Sequence, residues 1–170
     1  MQADNLVIST SLNKNSRSRL LAKYALTKFT NPVNYLDLQD FDLPLCDGES
    51  CYNHNNVLKI KPIIEEAKFI IISLPVYNFA PGSSAKNLIE LTGNVFKEKV
   101  IAFMCAAGGK ASYMSVMSLA NSLMLDFRCI IVPRFVYASR EIFTNNEISE
   151  EIKERINMLI ETGERIKSVL

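Results

Sequence analysis

No glycine occurs before Gly48, histidine appears once, and neither sign of charge dominates: 19 basic residues against 18 acidic ones give a formal net charge of +1. Each shortage removes a class of function. Without glycine after the first apolar segment, neither the dinucleotide fingerprint nor the glycine-rich triphosphate loop can form, because both need close backbone approach to phosphate. The single histidine, His54, sits among Asn53, Asn55 and Asn56; it reads as a solvated loop residue and leaves no base for a histidine-dependent hydrolytic triad. Balanced charge gives no field that gathers nucleic acid or an anionic membrane, so neither is an expected partner. Long apolar runs are missing too. Residues 69–76 are interrupted by Ser73, and residues 100–107 run straight into Gly108 and Gly109, both far short of the ~20 residues a bilayer requires. Residues 1–5 carry no basic side chain ahead of Leu6, so no secretory leader is read there and a cytoplasmic location is expected.

What is present fits one domain over residues 1–170, with 48% hydrophobic and 22% charged residues, a length that hides roughly 70% of the extended surface. Residues 6–8 predict a strand, residues 9–15 a polar loop, and Leu20, Leu21, Tyr24 and Ala25 mark one face of a helix over 16–29. Residues 33–38 are a weaker strand, followed by a loop to about Asn56 and a short helix with Pro62 near its first turn. Residues 69–74 are apolar on both parities, which predicts a strand covered on both faces and ended by Pro75. A helix over 84–91, a strand over 100–105, a helix over 112–127 and a strand over 129–132 follow. An amphipathic helix from Ser149 closes the chain, with Gly163 as a local weakness. Five strands alternating with helices predict a doubly wound α/β sandwich. Its parallel sheet takes the flavodoxin-like order 2-1-3-4-5, with helices on both faces and the weak second strand at an edge.

Ligands of such sheets bind beyond the carboxyl ends of the strands, which brings three loops together. The first offers hydroxyls and amides instead of glycine: Ser11, Asn13, Ser16 and Ser18, with Lys14 and Arg17 as cations, ahead of a helix N-terminus that suits a phosphate. The plainer reading makes Ser16 an N-cap and the rest a solvated turn. In the second, Pro75, Val76, Tyr77 and Asn78 either frame a flat heteroaromatic ring or simply end a strand. In the third, Ala107, Gly108 and Gly109 precede Lys110. Their unobstructed N–H groups suit the electron-rich pyrimidine edge of a flavin, or the segment is a plain turn.

Together these segments resemble the NADPH-dependent FMN reductases. Residues 10–18 are similar to that family's Gly-Ser-x-Arg-x-x-Ser-x-Asn phosphate loop, with Thr10 in place of the glycine and Asn13 in place of the arginine. Pro75, Val76, Tyr77 and Asn78, followed by Lys86 and Asn87, resemble its Pro-Glu-Tyr-Asn…Lys-Asn segment. Gly108 and Gly109 sit where its Ser-x-Gly-Gly loop sits, and Asp37, Leu38, Leu43 and Pro44 match its Asp-Leu…Leu-Pro stretch. The resemblance runs from about Leu6 to Val132. It implies noncovalently bound FMN, NAD(P)H as donor, and ping-pong transfer to a quinone, free flavin, azo compound or metal oxyanion, with no obligatory acid or base from the protein. The implied FMN contacts are Ser11, Asn13, Ser16, Arg17, Ser18, Pro75, Val76, Tyr77, Asn78, Ala107, Gly108 and Gly109. A flavodoxin-like electron carrier and a flavin-free binding module are the alternatives. Neutral net charge weighs against the carrier, whose surface is usually acidic; Thr10 and Asn13 favour the module.

Cys46, Cys51 and His54 share one loop, but no fourth ligand lies near for zinc. Free thiols are expected, with a Cys46 and Cys51 redox pair as the alternative. Residues 111–125 carry no charge, and Met114, Met117, Leu119, Leu123 and Met124 cover more than one helix face. That predicts a homodimer or homotetramer built through this helix, or a helix tucked under residues 133–146.

Overall fold

The computed structural model describes residues 3–144 and 147–170. Met1 and Gln2, part of the N-terminal reading, and Asn145 and Asn146, the end of the 133–146 segment, lie outside them. Strands β1 (Asn5–Ser9), β2 (Val33–Asp37), β3 (Phe69–Tyr77), β4 (Ala80–Pro81), β5 (Val100–Ala106), β6 (Ile130–Ile131) and β7 (Val136–Ala138) form one sheet. Its order is β2-β1-β3-β5-β6, with β4 folded back on β3 and β7 continuing beside β5. All pairings are parallel except β3 with β4. The flavodoxin-like order is therefore present. β3 is buried from Phe69 to Val76 without alternation, as a strand with helices on both faces must be.

Helices α1 (Arg17–Leu26), α2 (Asn55–Glu66), α3 (Ser83–Thr92), α4 (Met117–Phe127) and α5 (Glu150–Lys167) divide between the two faces. Leu21, Ile152 and Ile156 from α1 and α5 pack on Val7, Ile71 and Ala102; Ile64, Leu88 and Leu119 from α2, α3 and α4 pack on Ile8, Ile72 and Phe103. Among the described residues no helix is long and apolar enough to cross a membrane.

Several local expectations are corrected. Pro75 does not end β3; it pairs with Ala106 and the strand runs on to Tyr77. β1 stops opposite Ser73 and β4 pairs only from Val76 onward, so Pro75 falls in the gap between the two ladders on that flank and its missing N–H does no harm. Pro62 lies in the third turn of α2, not the first. The carbonyl it frees belongs to Leu58, which is 51% exposed and open to water. His54 is the N-cap of α2, its Nδ1 accepting the Asn56 N–H at 3.3 Å. Residues 113–116 form a 3₁₀ turn ahead of α4. The strand read over 129–132 is broken in two: Pro133 cannot donate to the ladder and Arg134 is left-handed at φ 59, so pairing with β5 lapses and resumes at β7. A short hairpin of β8 (Phe143–Thr144) and β9 (Glu147–Ile148) precedes α5. Gly163 is no mere weakness, because a Cβ there would collide with the Phe69 ring; glycine lets α5 lie close on β3.

Candidate functional site

The carboxyl ends of β1, β3 and β5 open on a cavity of about 940 Å³, within the usual range for small-molecule sites. Every FMN contact implied by the resemblance lines it: Ser11, Asn13, Ser16, Arg17 and Ser18; Pro75, Val76, Tyr77 and Asn78; and Ala107, Gly108 and Gly109. Asn15, Phe79, Ala106 and Ser112, from the same three loops, line it as well. Lys14 does not, and neither does Lys86, which pairs with Glu90 at 2.7 Å on the outer side of α3.

The first loop is shaped by a residue that the sequence reading missed, Arg19. It is 8% exposed and every N–H of its guanidinium has an acceptor. Nε–H and one Nη2–H meet the Asp37 carboxylate at 2.5 and 3.1 Å. The remaining donors reach the carbonyls of Ser11 (2.7 Å), Asn13 (2.7 Å) and Lys14 (3.3 Å). In a trans peptide the carbonyl and the following N–H point opposite ways, so drawing in the Ser11 and Asn13 carbonyls turns the Leu12 and Lys14 N–H groups away from the guanidinium. A loop without glycine thus presents amides outward because an arginine holds its carbonyls inward. Asp37 also accepts from the Tyr35 hydroxyl (2.9 Å) and the Gln39 N–H (3.1 Å). Burial pushes the Asp37 carboxyl up, and its hydrogen bonds with Arg19, Gln39 and Tyr35 more than offset this, leaving it below the usual range. Burial, then the hydrogen bond to Asp37, hold the Tyr35 hydroxyl up at about 12.

The two readings of Ser16 are compatible. Its Oγ accepts the Arg19 N–H at 3.2 Å as the N-cap of α1 and lies 2.8 Å from Ser18 Oγ. One hydroxyl proton joins that pair, and the other is free for a ligand. Asn13 Oδ1 accepts the Asn15 N–H at 2.9 Å, fixing a local turn. Thr10, at the position of a family glycine, is fully buried and turned into the sheet. Its hydroxyl donates to the Ser73 carbonyl (3.3 Å), and its carbonyl accepts from Ser84 Oγ (2.5 Å) at the start of α3.

In the second loop, Asn78 (φ 49) and Phe79 (φ 61) make the two-residue turn joining β3 to β4. Two consecutive left-handed residues are the pattern of a type I′ hairpin, where asparagine is at ease and phenylalanine is not. The turn holds Tyr77 and Phe79, 55% and 68% exposed, at the cavity rim. Asn87 serves elsewhere: its side chain accepts the Cys46 N–H and donates to the Pro44 carbonyl, both at 2.9 Å.

In the third loop neither Gly108 nor Gly109 has a left-handed φ, and no protein atom lies within 4 Å of where a Cβ would stand on either. Neither backbone conformation nor packing asks for glycine here. A side chain would instead occupy the open space they border. The Tyr137 hydroxyl donates to the Gly109 carbonyl at 2.5 Å, and Tyr113 braces the Tyr137 ring while stacking on Phe135 at 4.7 Å. This support comes from β7, the strand segment the sequence reading lacked; Val136, Tyr137 and Ala138 after Pro133 were the available signal.

The polar part of the cavity lining is mostly neutral. Among the described residues, its lining contains hydroxyls, amides, backbone N–H groups and one cation, Arg17, with no carboxylate or histidine.

Comparison with known proteins gives concordant likenesses. The model of the family described as NADPH-dependent FMN reductase matches residues 4–143. An NAD(P)H-dependent FAD/FMN reductase of Geobacillus thermodenitrificans (strain NG80-2) is 26% identical over 132 residues, 75% of this chain and 71% of that protein. Among solved structures, the flavoenzyme NAD(P)H:(acceptor) oxidoreductase FerB of Paracoccus denitrificans superposes with a TM-score of 0.75 at 20% identity, over 94% of this chain and 96% of that one. The apo form of the NADH:FMN oxidoreductase EMOB gives 0.74 at 15% identity, over 97% and 88%.

Proposed function

The chain belongs to the NADPH-dependent FMN reductase family, and from that premise we propose that the cavity at the carboxyl edge of its sheet holds FMN for an NAD(P)H oxidoreductase acting on small acceptors. The observation that carries this reading is the glycine pair: Gly108 and Gly109 leave open a space that nothing within the protein requires to be open. The first loop fits the other end of the cofactor. Hydroxyls of Ser11, Ser16 and Ser18 and the N-terminus of α1 form a donor set for a phosphate, with Arg17, its guanidinium resting over the Phe143 ring, as the cation beside them.

FMN supplies the redox chemistry when bound, taking a hydride from NAD(P)H and returning electrons to a quinone, free flavin, azo compound or metal oxyanion. The protein's own part is binding and orientation. Arg19 fixes the first loop from behind, so its donors stand in place before a phosphate arrives. Pro75, Val76, Tyr77 and Asn78 wall the ring edge, and Ala107 with the Gly108 and Gly109 amides provides the donors for the pyrimidine end. Asn13, with its side chain engaged in the Asn15 turn, keeps the loop's outline rather than supplying charge. Purified protein mixed with FMN and passed through gel filtration should retain the flavin absorption band, and anaerobic NADPH should bleach it. An unretained band contradicts the reading; a retained band that NADPH leaves unbleached favours the electron carrier.

We also propose a homodimer through α4. Met114, Met117, Met124 and Leu125 are exposed while Leu119, Ala120 and Leu123 face the core, so the outer face of this uncharged stretch carries four large apolar side chains, beside Ser118 and Asn121, that one chain leaves unburied. Phe79 and Met114 border the same shallow depression, so a second copy docked on this face would lie at the mouth of the main cavity. Sedimentation should show twice the 19.1 kDa chain mass at micromolar concentration, and Leu125→Glu should halve it; a monomer in the unsubstituted protein overturns the idea. The four cysteines are free, which supports a reducing, cytoplasmic location.

A further inference from the structure

The loop between β2 and α2 holds two sulfurs that flavin chemistry does not use. The Cys51 thiol donates to Cys46 Sγ at 3.8 Å, and the Tyr52 hydroxyl lies 3.7 Å from the same sulfur. The surrounding loop is built to keep them together. The Asp47 carboxylate accepts from the Glu49 N–H (2.9 Å), the Cys51 N–H (3.1 Å) and Ser50 Oγ (2.6 Å). Gly48, left-handed at φ 78, reverses the chain between the two cysteines. Cys46 is pinned to α3 through Asn87, whereas Cys51 belongs to the 3₁₀ turn that leads into α2. The pair therefore faces itself across a tight turn anchored at both ends.

The two sulfurs are not equivalent. Cys46 is half-buried and reachable from solvent; Cys51 is 4% exposed. The Cys51 thiol and the Tyr52 hydroxyl both face the Cys46 sulfur, and its partial exposure leaves it the sulfur that a peroxide can reach. Burial, followed by the neighbouring Asp47 carboxylate, pushes the Cys51 thiol up, which keeps it the protonated donor of the pair. Cys105 and Cys129 stand apart as inert comparators, with burial raising their thiols to about 12 and about 11.

We propose that Cys46 and Cys51 are a reversible dithiol site oxidised by peroxide, with Cys46 the attacking sulfur and Cys51 the resolving one. Cys46 attacks a peroxide oxygen: the S–O bond forms, the O–O bond breaks, and the thiol proton leaves on the departing oxygen as water or an alcohol. The product on Cys46 is a sulfenic acid. The Cys51 sulfur then attacks Cys46 Sγ, the S–S bond forms, and the hydroxyl departs with the Cys51 proton as water. The two thiols lose two electrons and two protons, and the peroxide gains them. Closure brings the sulfurs from 3.8 Å to ~2 Å, a short movement for a surface turn; a small dithiol reverses it.

The test uses the intact protein and hydrogen peroxide, with thiols counted after quenching and denaturation and peptides mapped by mass spectrometry. Two of the four thiols should be lost, joined as a peptide linking positions 46 and 51, and restored by dithiothreitol. In the Cys51→Ser protein dimedone should trap a sulfenic acid on Cys46, and in the Cys46→Ser protein no thiol should be lost. Retention of all four thiols, a bond to Cys105 or Cys129, a bond between two chains, or dimedone capture at Cys51 would each overturn the proposal.

Discussion

The Arg19 guanidinium and the Asp37 carboxylate form a buried two-point ion pair, 2.5 and 3.1 Å long, that ties the first turn of α1 to the end of β2. The same guanidinium holds three carbonyls of the first loop, so an interaction beneath the cavity sets the shape of the wall that this loop forms. Removing one partner of a buried pair strands the other charge, which costs about 3–5 kcal/mol. Arg19→Met should therefore lower stability by that order in urea unfolding and weaken FMN binding. Arg19→Met combined with Asp37→Leu should recover stability but not FMN affinity. Recovery of both would mean the arginine stabilises the fold without shaping the loop.

The same pair gives the protein an acid limb. Asp37 titrates below its ordinary value of 3.8 in the fold, so its contribution is complete above that value and lost as pH falls through the lower folded one. Asp37→Asn should be less stable at neutral pH and show a flatter decline below about pH 4. Tyr35, ordinarily 10.0 and held up at about 12, acts at the other end: its neutral form is favoured by the fold, so stability should fall as pH rises from 10 to 12. Tyr35→Phe should blunt that decline, read from thermal melts across the alkaline range.

Gly163→Ala should destabilise although alanine is the better helix former. The propensity gain is about 1 kcal/mol, whereas the new methyl would overlap the Phe69 ring and overpacking costs about 1–3 kcal/mol. Adding Phe69→Leu should restore part of the loss in thermal melts. An alanine variant more stable than the parent would contradict close packing of α5 on β3.

Phe79 stores backbone strain at the cavity rim. A left-handed conformation in a bulky residue costs about 1–3 kcal/mol, and its ring, 68% exposed, is not compensated by burial within one chain. Phe79→Gly should raise the melting temperature of the isolated protein while weakening either acceptor turnover or dimerisation. Loss of stability on this substitution would show that the ring is packed in solution.

The sheet and the three loops were legible because doubly covered strands such as residues 69–74 and 100–105 are apolar on both parities, and parallel topology fixes which loops meet. Arg19 was not legible. Its position on a helical segment one residue beyond Ser18 looks like a solvated face, and its partner Asp37 is 18 positions away on another strand; only folding shows that the charge is turned inward. β7 was hidden because a two-residue pairing, a proline and a left-handed arginine break the periodicity that marks a strand. Gly163 reads as a poor helix residue until Phe69 is seen opposite it. The cysteine pair was visible as spacing, but the donor geometry around Cys46 was not.

If the loop carrying Ser11, Ser16 and Ser18 binds the phosphate of FMN, the protein must distinguish FMN from riboflavin, which lacks that phosphate, and comparing the two is the most direct measurement. Flavin fluorescence titrations of the parent protein should show FMN bound more tightly. In the Ser11→Ala and Ser16→Ala proteins the FMN advantage should shrink by about 1–3 kcal/mol for each charged hydrogen bond lost, with riboflavin affinity little changed. Equal affinity of the parent protein for the two flavins, or an FMN advantage untouched by both substitutions, would contradict the account.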